Sequence, residues 1–237
     1  MRNFRQRHRQ PNGPLAARRG SGAPLAYPDG VFRNGTTGQC IQTADKAQLD
    51  ITGDIDIAVH INPTTWKPTG DKGLVGKWLS TTNKRGFAFH SSTSGVLKLY
   101  WSTAGTATVG GTSTLAVPFS DGTAGWVRTT LDVNNGSGGH DLKFYTAASD
   151  PAFPSSWTQL GTTVVNAAGA GTTSIFANDE PLNIGQGQTN TGPNQPGYYL
   201  RVVIKNGIDG TVVADFNASL SGATGYTDAY GNTWTIS

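Results

Sequence analysis

Cysteine, charged residues and glutamate are all scarce in this chain of 237 residues. The single cysteine, Cys40, excludes an internal disulfide and a metal site built on a cysteine cluster. Charged residues make up 14% of the chain, against roughly a quarter in an average soluble domain. Glu180 is the only glutamate beside an abundance of aspartate. Because glutamate favours helices and aspartate favours turns, this bias predicts strands joined by tight turns.

Long apolar runs and recognisable catalytic motifs are also missing. No stretch approaches the roughly 18 apolar residues of a membrane-spanning helix, so we expect no membrane insertion. The first residues carry charge without an apolar segment, so we expect no secretory signal and assembly in a cytoplasm. The four histidines are isolated from one another, and neither a nucleophile-elbow motif nor a phosphate-binding loop occurs. We therefore predict no metal site of histidine or cysteine ligands.

Positive charge is concentrated at the start of the chain. Residues 1–26 contain six arginines and no acidic residue, whereas the other 211 residues hold twelve basic and fifteen acidic ones. The body is thus slightly acidic, and we do not expect it to bind nucleic acid. Because the first 26 residues lack periodicity, we predict an extended anchoring arm, followed by one domain over residues 27–237. The arginines of the arm are Arg2, Arg5, Arg7, Arg9, Arg18 and Arg19.

Alternating apolar residues predict strands through most of the body. In ITGDIDIAVHINP, Ile55, Ile57, Val59 and Ile61 share one face, which is typical of a strand with its other face in water. We count roughly a dozen such runs, separated by turn signals such as Asn206-Gly207. Helix is predicted only near residues 45–49. This pattern favours an all-β antiparallel jelly-roll sandwich. Further runs of this type are KGLVGKWLS, RGFAFHS, GVLKLYWS, WVRTTLDVN, HDLKFYTA, LNIGQG, YYLRVVIKNG, GTVVADFN and GNTWTIS.

The order of these runs resembles the concanavalin A-like, or laminin-G-like, jelly-roll superfamily over about residues 35–215. The segments DITGDIDIAVHI, WVRTTLDVNNG, WTQLGTT, NGIDGTVVADFN and DAYGNTWTIS are similar to lectin-like virion proteins of actinobacteriophages, which are usually called minor tail or capsid-associated proteins. The resemblance implies two antiparallel sheets, one curved over the other. It does not fix a function, because the same sandwich serves lectins, hydrolases and structural modules.

Carboxylate spacing tests the hydrolase alternative. Retaining glycoside hydrolysis needs two carboxyl groups about 5 Å apart, and hydrolases of this superfamily place Glu-x-Asp-x-(x)-Glu on one strand. Here Asp54 and Asp56 alternate correctly, with His60 nearby. Without a glutamate among them, a solvated strand face is the favoured interpretation. We therefore predict that the protein is not an enzyme.

Calcium is compatible with two groups of loop residues but is not predicted. Aspartate and asparagine oxygens are suitable calcium ligands, yet they also stabilise turns without any metal. Both interpretations stay open for these residues, and no cofactor is assigned. One group is Asp132, Asn134, Asn135 and Asp141, and the other is Asn178, Asp179 and Asn183.

Aromatic residues provide the candidates for glycan contact, because sugar C–H faces pack on rings. Our candidates are Trp66, Trp101 and Trp157. Tyr100 and Tyr198 or Tyr199 are secondary ones. Trp66 and Trp157 lie in proline-containing loops, which favours exposure, whereas Trp101 could equally belong to the core. We expect Trp126 and Trp234 to be core residues.

These observations together predict a non-enzymatic bacteriophage virion protein, either a minor tail protein or a capsid decoration protein. The arginines of the arm would bind acidic capsid or tail subunits, since guanidinium groups pair bidentately with carboxylates. The sandwich would then be displayed on the virion surface for weak adhesion to host-surface glycans. The alternatives are a tail-associated glycan-degrading enzyme and a free carbohydrate-binding lectin. A homo-oligomer is a further hypothesis, although the chain has no heptad repeat.

Overall fold

Two antiparallel sheets form the body of the protein in a computed structural model. The structure describes residues 30–36, 38–167, 171–189, 194–221 and 224–237. The predicted arm with its six arginines lies outside the described residues. The strands are β1 Val31–Arg33, β2 Ile41–Thr43, β3 Ile55–Pro63, β4 Lys72–Leu79, β5 Lys84–Ser91, β6 Leu97–Gly105, β7 Val109–Thr112, β8 Gly125–Asp132, β9 Asp141–Ala147, β10 Thr158–Gln159, β11 Val164–Val165, β12 Leu182–Ile184, β13 Gly197–Asn206, β14 Thr211–Asn217, β15 Gly225–Thr227 and β16 Thr233–Ile236.

The two sheets have eight strands each. The back sheet runs β1-β13-β3-β8-β9-β10, with β14 also paired to β13 and β11 also paired to β9. The front sheet runs β15-β16-β2-β12-β4-β5-β6-β7. All of the strand pairs are antiparallel. The predicted all-β jelly-roll sandwich is therefore confirmed.

Local elements also follow the sequence patterns. Each of the predicted strand runs contains a strand, and the predicted helical piece is a 3-10 turn at Ala47–Leu49. Other 3-10 turns occupy Ser80–Thr82, Thr93–Gly95 and Ala218–Leu220. Within the described part of the chain, no helix is long and apolar enough to span a bilayer.

The core lies between the inner faces of the two sheets. Ile55, Ile57, Val59 and Ile61 of β3 are fully buried there, as the alternation predicts. The front sheet contributes aromatic residues such as Phe89. Trp126 and Trp234 are also buried, but only Trp234 belongs to the central cluster. Trp126 lies on the outer face of the back sheet, directly opposite His60.

The outer face of β3 is the main departure from the sequence prediction. We expected it to be solvated, but Asp56, Ala58 and His60 are each at most 2% exposed. The connection between β9 and β10 covers this face: Trp126 Nε1 donates to Asp150 O at 2.8 Å, and the Phe153 ring packs edge-on against Trp126. Central strand β3 is therefore buried on both faces.

A buried ion pair lies under this cover. Arg128 of β8 donates from Nε and Nη2 to the two carboxylate oxygens of Asp56, at 2.8 and 2.7 Å. Arg128 Nη2 also contacts Asp209 in the β13–β14 turn at 2.7 Å, and Lys205 lies 3.6 Å from Asp56. The Trp157 ring covers the guanidinium of Arg128. Charges of both signs are thus paired in the middle of the back sheet.

The turn between β15 and β16 is centred on Asp228. Its Oδ1 accepts from the backbone N–H groups of Tyr230 and Asn232, at 2.9 and 2.8 Å. Its Oδ2 accepts from Asp215 N in the edge strand β14 and from Trp234 Nε1, both at 3.1 Å. One carboxylate therefore joins the last hairpin of the front sheet to the edge of the back sheet.

Replacing Asp228 by asparagine should destabilise the protein strongly. An amide would present N–H groups to donors and break at least two hydrogen bonds to a charged acceptor, a cost of about 3 kcal/mol or more. Urea unfolding at neutral pH measures this change. The matched variant Asp179→Asn, at a side chain 70% exposed that pairs with Lys84 at 2.7 Å, should change the free energy of unfolding by less than about 1 kcal/mol. Equal effects at the two positions would contradict the role given to Asp228.

Candidate functional site

Two of the tryptophans predicted to contact glycans are buried, and the expected exposure of Trp66 is wrong. Trp66 is 1% exposed: its backbone N–H donates to Asp121 Oδ1 and its indole N–H to Thr123 O. Trp101 is fully buried on the inner face of β6, where its indole N–H donates to Thr173 Oγ1 at 3.0 Å. Neither ring presents a face to a ligand.

Trp157, the third candidate, is half-buried. Its ring meets those of Trp126 and Phe153 at centroid distances of 6.1 and 5.9 Å. The guanidinium of Arg128 lies 5.4 Å from its centroid. The main contacts of Trp157 are therefore with its own protein, which indicates a covering role over the buried ion pair.

An open groove instead lies on the outer face of the front sheet. Its base is set by a close approach between β4 and the loop that follows β12. A Cβ on Gly73 would lie 1.7 Å from Gly187 N, and one on Gly76 would lie 2.4 Å from Gly187 O. Only glycine permits this contact, so the loop rests directly on β4 and forms one wall of the groove.

Aromatic and small residues form the rest of this front groove. It is a cavity of about 230 Å³ lined mainly by Trp78, Ala88, His90, Tyr100 and Gly187. Ala88 and Tyr100 are directly paired across β5 and β6, so their side chains share the outer face. The lining is largely apolar, and the half-buried Tyr100 ring is part of it.

A polar cluster lies at the lip of the front groove, around Asp71. The carboxylate accepts from Tyr100 Oη at 2.8 Å and from Lys98 Nζ at 3.0 and 3.2 Å. Ser92 Oγ also donates to it. The groove therefore joins an apolar ring face to hydrogen-bonding groups whose charges are paired.

The hydrogen bonds at the lip determine the charge states of Asp71, Lys98 and Tyr100. Burial alone would raise the pKa of Asp71, but the bonds from Ser92, Tyr100 and Lys98 outweigh burial and hold the pKa below its ordinary value. Burial would lower the pKa of Lys98, but Asp71 raises it overall. Burial and the bond to Asp71 both raise the pKa of Tyr100. At neutral pH the lip is thus one ion pair beside a neutral phenol.

His90 lies at the base of the groove. Both ring nitrogens are shielded from solvent, and neither makes a hydrogen bond within the described ranges. The ring meets Tyr100 edge-on at 5.4 Å and touches the Gly187 backbone. Burial lowers the pKa of His90 to about 4, against an opposing effect of Asp71. The imidazole is therefore neutral at physiological pH and adds no charge to the groove.

The carboxylates considered for hydrolysis are engaged elsewhere. Asp56 is paired with Arg128, and Asp54 Oδ1 accepts from Val133 N at 2.9 Å. His60 Nε2 is hydrogen-bonded to Ser149 Oγ at 2.9 Å, and its ring is stacked on Trp126. None of these groups reaches the front groove.

The loop residues compatible with calcium make turn contacts. Asp132 Oδ1 accepts from Asn134 N, and Asn135 Nδ2 donates to Asp141 Oδ1. In the second group, Asn178 Oδ1 accepts from Glu180 N. Within the described ranges, no group of three or more histidine, cysteine or acidic side chains could hold a metal ion.

Sequence reasoning missed most of the groove. Of its members, only Tyr100 was a candidate for contact, and a secondary one. The alternation in GVLKLYWS does contain a signal, because it places Lys98 and Tyr100 on the face opposite Leu97, Leu99 and Trp101. No such pattern indicates Asp71 or Gly187, which reach the site through loops.

Comparison with known proteins shows similarity at the level of fold. No protein-family model and no curated protein sequence matches the chain. A native heptameric SAP-like pentraxin from Limulus polyphemus is 12% identical, with a TM-score of 0.43 over 79% of this chain and 76% of that one. The CBM40 of a Ruminococcus gnavus IT-sialidase, bound to alpha2,6 sialyllactose, is 11% identical, with a TM-score of 0.45 over 73% and 89%.

A third similar structure is the enzymatically active domain of tailspike protein 2 from bacteriophage CBA120. It is 10% identical, with a TM-score of 0.40 over 76% of this chain and 28% of that one. Identities near one tenth and TM-scores below 0.5 carry no information about function.

Stability should fall as pH decreases from 7 to 5, because of His60 and His90. Burial lowers the pKa of each to about 4, below the ordinary value of about 6.5, so the unfolded chain takes up protons that the native state excludes. Each histidine should cost about 2 kcal/mol over this range. Urea unfolding at several pH values measures the slope.

The variant His90→Phe provides the control for this pH dependence. It keeps an aromatic ring where no hydrogen bond is lost, and it should reduce the slope between pH 7 and pH 5 by about half. An unchanged slope in this variant would show that His90 does not carry the effect.

Proposed function

We propose that this protein is a non-enzymatic virion surface protein whose sandwich binds a neutral glycan in the front groove. The observation that carries the proposal is the apolar cavity around Tyr100, bordered by the Asp71–Lys98 pair. Glycan binding needs an aromatic surface for the C–H face of a sugar and paired donors and acceptors for its hydroxyls. Tyr100 belongs to both parts, through its ring and its hydroxyl.

The pairing of charge at the lip favours a neutral sugar. Asp71 is held as a carboxylate and Lys98 as an ammonium, and each neutralises the other. An acidic sugar would have to compete with Asp71 for Lys98, whereas a hydroxyl can accept from Lys98 and donate to Asp71 together. His90, neutral beneath the groove, attracts neither sign of charge.

The number and positions of the carboxylates near the front groove favour binding without hydrolysis. Asp71 is the carboxylate at the lip, and its oxygens already accept from three side chains. Retaining and inverting hydrolysis both require a second carboxyl group across the scissile bond. Asp56 lies in β3 of the other sheet, and Asp54 lies directly before that strand. These observations support a binding module over the glycan-degrading alternative.

The arm supports attachment to a particle over a free lectin. Its six arginines carry the basic charge of a chain whose body is slightly acidic, and guanidinium groups pair well with acidic protein surfaces. The resemblance of the body to actinobacteriophage virion proteins suggests capsid or tail subunits as partners. Display in many copies would raise a weak single-site affinity by about 10²–10⁴.

A glycan array probed with the full chain tests the binding proposal. We expect signals on neutral oligosaccharides of plain hexoses, reduced severalfold in Tyr100→Phe and at least tenfold in Tyr100→Ala, because the first variant keeps the ring and the second removes it. The variant Leu115→Ser, at a side chain 59% exposed that does not line the front groove, should bind normally. Undiminished binding by Tyr100→Ala would refute the front groove as the site.

Deleting residues 1–26 tests the anchoring role of the arm. The truncated protein should keep its unfolding temperature and its glycan binding but fail to incorporate into virus particles. Immunoblotting of purified particles measures incorporation. Normal incorporation of the truncated chain would disprove the anchor while leaving the binding proposal intact.

A further inference from the structure

A second groove lies on the outer face of the back sheet, where the covering β9–β10 connection stops. Two adjoining cavities, of about 110 and 230 Å³, meet at Arg201 and Asn217. Ser149 and Pro151 form one side, and the residues around Leu220 and Tyr230 form the other. We call this surface the Arg201 groove.

A β-bulge directs Arg201 into this groove. The register of β13 against β3 shifts between Tyr199 and Arg201, so that Tyr199 pairs with Ile61 but Arg201 pairs with His60. Leu200 is the additional residue of the bulge. Because directly paired residues share a face, Arg201 lies on the outer face beside His60 and Asn217, its partner in β14. Bulges often re-aim side chains in this way next to binding sites.

Arg201 is held in one conformation before any ligand binds. Its Nε and Nη2 donate to the two oxygens of Asp215, at 2.9 and 2.7 Å. The Phe153 ring lies 5.9 Å from its guanidinium carbon. A side chain fixed in advance loses little conformational entropy on binding, so Arg201 is a preorganised group.

Donors and an acceptor in the groove remain available. Across the part of the chain that the structure describes, neither Arg201 Nη1 nor Asn217 Nδ2 makes a hydrogen bond. Asn217 Oδ1 is occupied, because it accepts from Ser219 N and Oγ. The Asp215 carboxylate is 21% exposed and has lone pairs beyond the two used by Arg201. Two donors therefore lie beside one acceptor.

Exposed apolar side chains complete the surface. Leu220 is 65% exposed and Tyr230 is 39% exposed, and both line the same cavity as Asp215. Large apolar side chains this exposed are few on the described surface. Their position beside unused donors indicates a ligand with a small apolar group next to a polar one.

We propose that the Arg201 groove binds the acetamido group of an N-acetylated amino sugar. The acetamido carbonyl would accept from Arg201 and Asn217, its N–H would donate to Asp215, and its methyl group would pack on Leu220 and Tyr230. The site lies on the opposite sheet from the front groove and does not depend on it.

The charges in the groove favour this ligand over an anion. Asp215 neutralises Arg201, so a carboxylate or phosphate placed on the two donors would also meet a negative group. A plain hexose offers no methyl group to cover Leu220. The acetamido group, a secondary amide with a methyl group, matches the acceptor, the donors and the apolar wall of the groove. A peptide backbone also contains secondary amides. A sugar is favoured over a peptide as the ligand because the two cavities are compact.

Isothermal titration of the full chain with triacetylchitotriose and cellotriose tests the proposal. The two trisaccharides have the same linkage and differ in the acetamido groups, and we expect at least tenfold tighter binding of the acetylated one. The variants Asn217→Asp and Leu220→Ser should each weaken that binding at least fivefold. Asn217→Asp keeps the oxygen that accepts from Ser219 and replaces the donor by a charged acceptor, while Leu220 is exposed, so both variants should fold.

The controls separate this site from the front groove and from peptide binding. Leu115→Ser and Tyr100→Ala should leave the affinity for triacetylchitotriose unchanged. Equal affinity of the Tyr100→Ala variant for the two trisaccharides would overturn the proposal, because cellotriose can then bind only outside the front groove. Loss of triacetylchitotriose binding in Tyr100→Ala, with normal binding in the two groove variants, would also overturn it. That last outcome would still support the front groove as a glycan site. Equally tight binding of N-acetylglycine methylamide would overturn the assignment to a sugar.

Discussion

The buried ion pair between Asp56 and Arg128 is the contact on which the back sheet depends. It joins the neighbouring strands β3 and β8, and through Asp209 it also fixes the turn between β13 and β14. Trp157 and Tyr145 lie over the guanidinium, so the connection from β9 to β10 packs on the same pair. Removing one partner of a buried pair leaves an uncompensated charge, which typically costs about 3–5 kcal/mol. The pair therefore explains why a strand with alternating polar residues is buried on both faces.

The β9–β10 connection also determines which part of the outer face of the back sheet remains accessible. The β9–β10 connection covers His60 and Trp126. It ends before the neighbouring pair Arg201 and Asn217 on β13 and β14, so these two side chains remain accessible. On the front sheet, the loop through Gly187 has the corresponding effect, since it occupies the glycine positions of β4 and leaves Tyr100 uncovered. Both grooves thus arise where a loop packed on a sheet stops, and both have walls made from that loop.

Paired charge is common to the two grooves. Asp71 with Lys98 and Asp215 with Arg201 each present donors and acceptors without a net charge. Such pairs suit ligands with many hydroxyl or amide groups and disfavour ions. The unbalanced charge of the chain is instead concentrated in residues 1–26. In the proposed function, attachment relies on charge and recognition of the host surface on neutral contacts, so that the two activities do not compete.

The sequence by itself determined the fold class, the positions of ten of the sixteen described strands and the concentration of positive charge in residues 1–26 beside a slightly acidic body. These properties follow from local alternation, turn residues and composition, which act over a few neighbouring residues. Only the tertiary structure decided which side chains are accessible. Trp66 and Trp101 are buried and Tyr100 is open because coverage of a sheet face depends on loops distant in sequence. Likewise, Arg201 faces a groove because of one bulge, and Asp71 meets Lys98 and Tyr100 across 27 and 29 positions, a separation that no local pattern specifies.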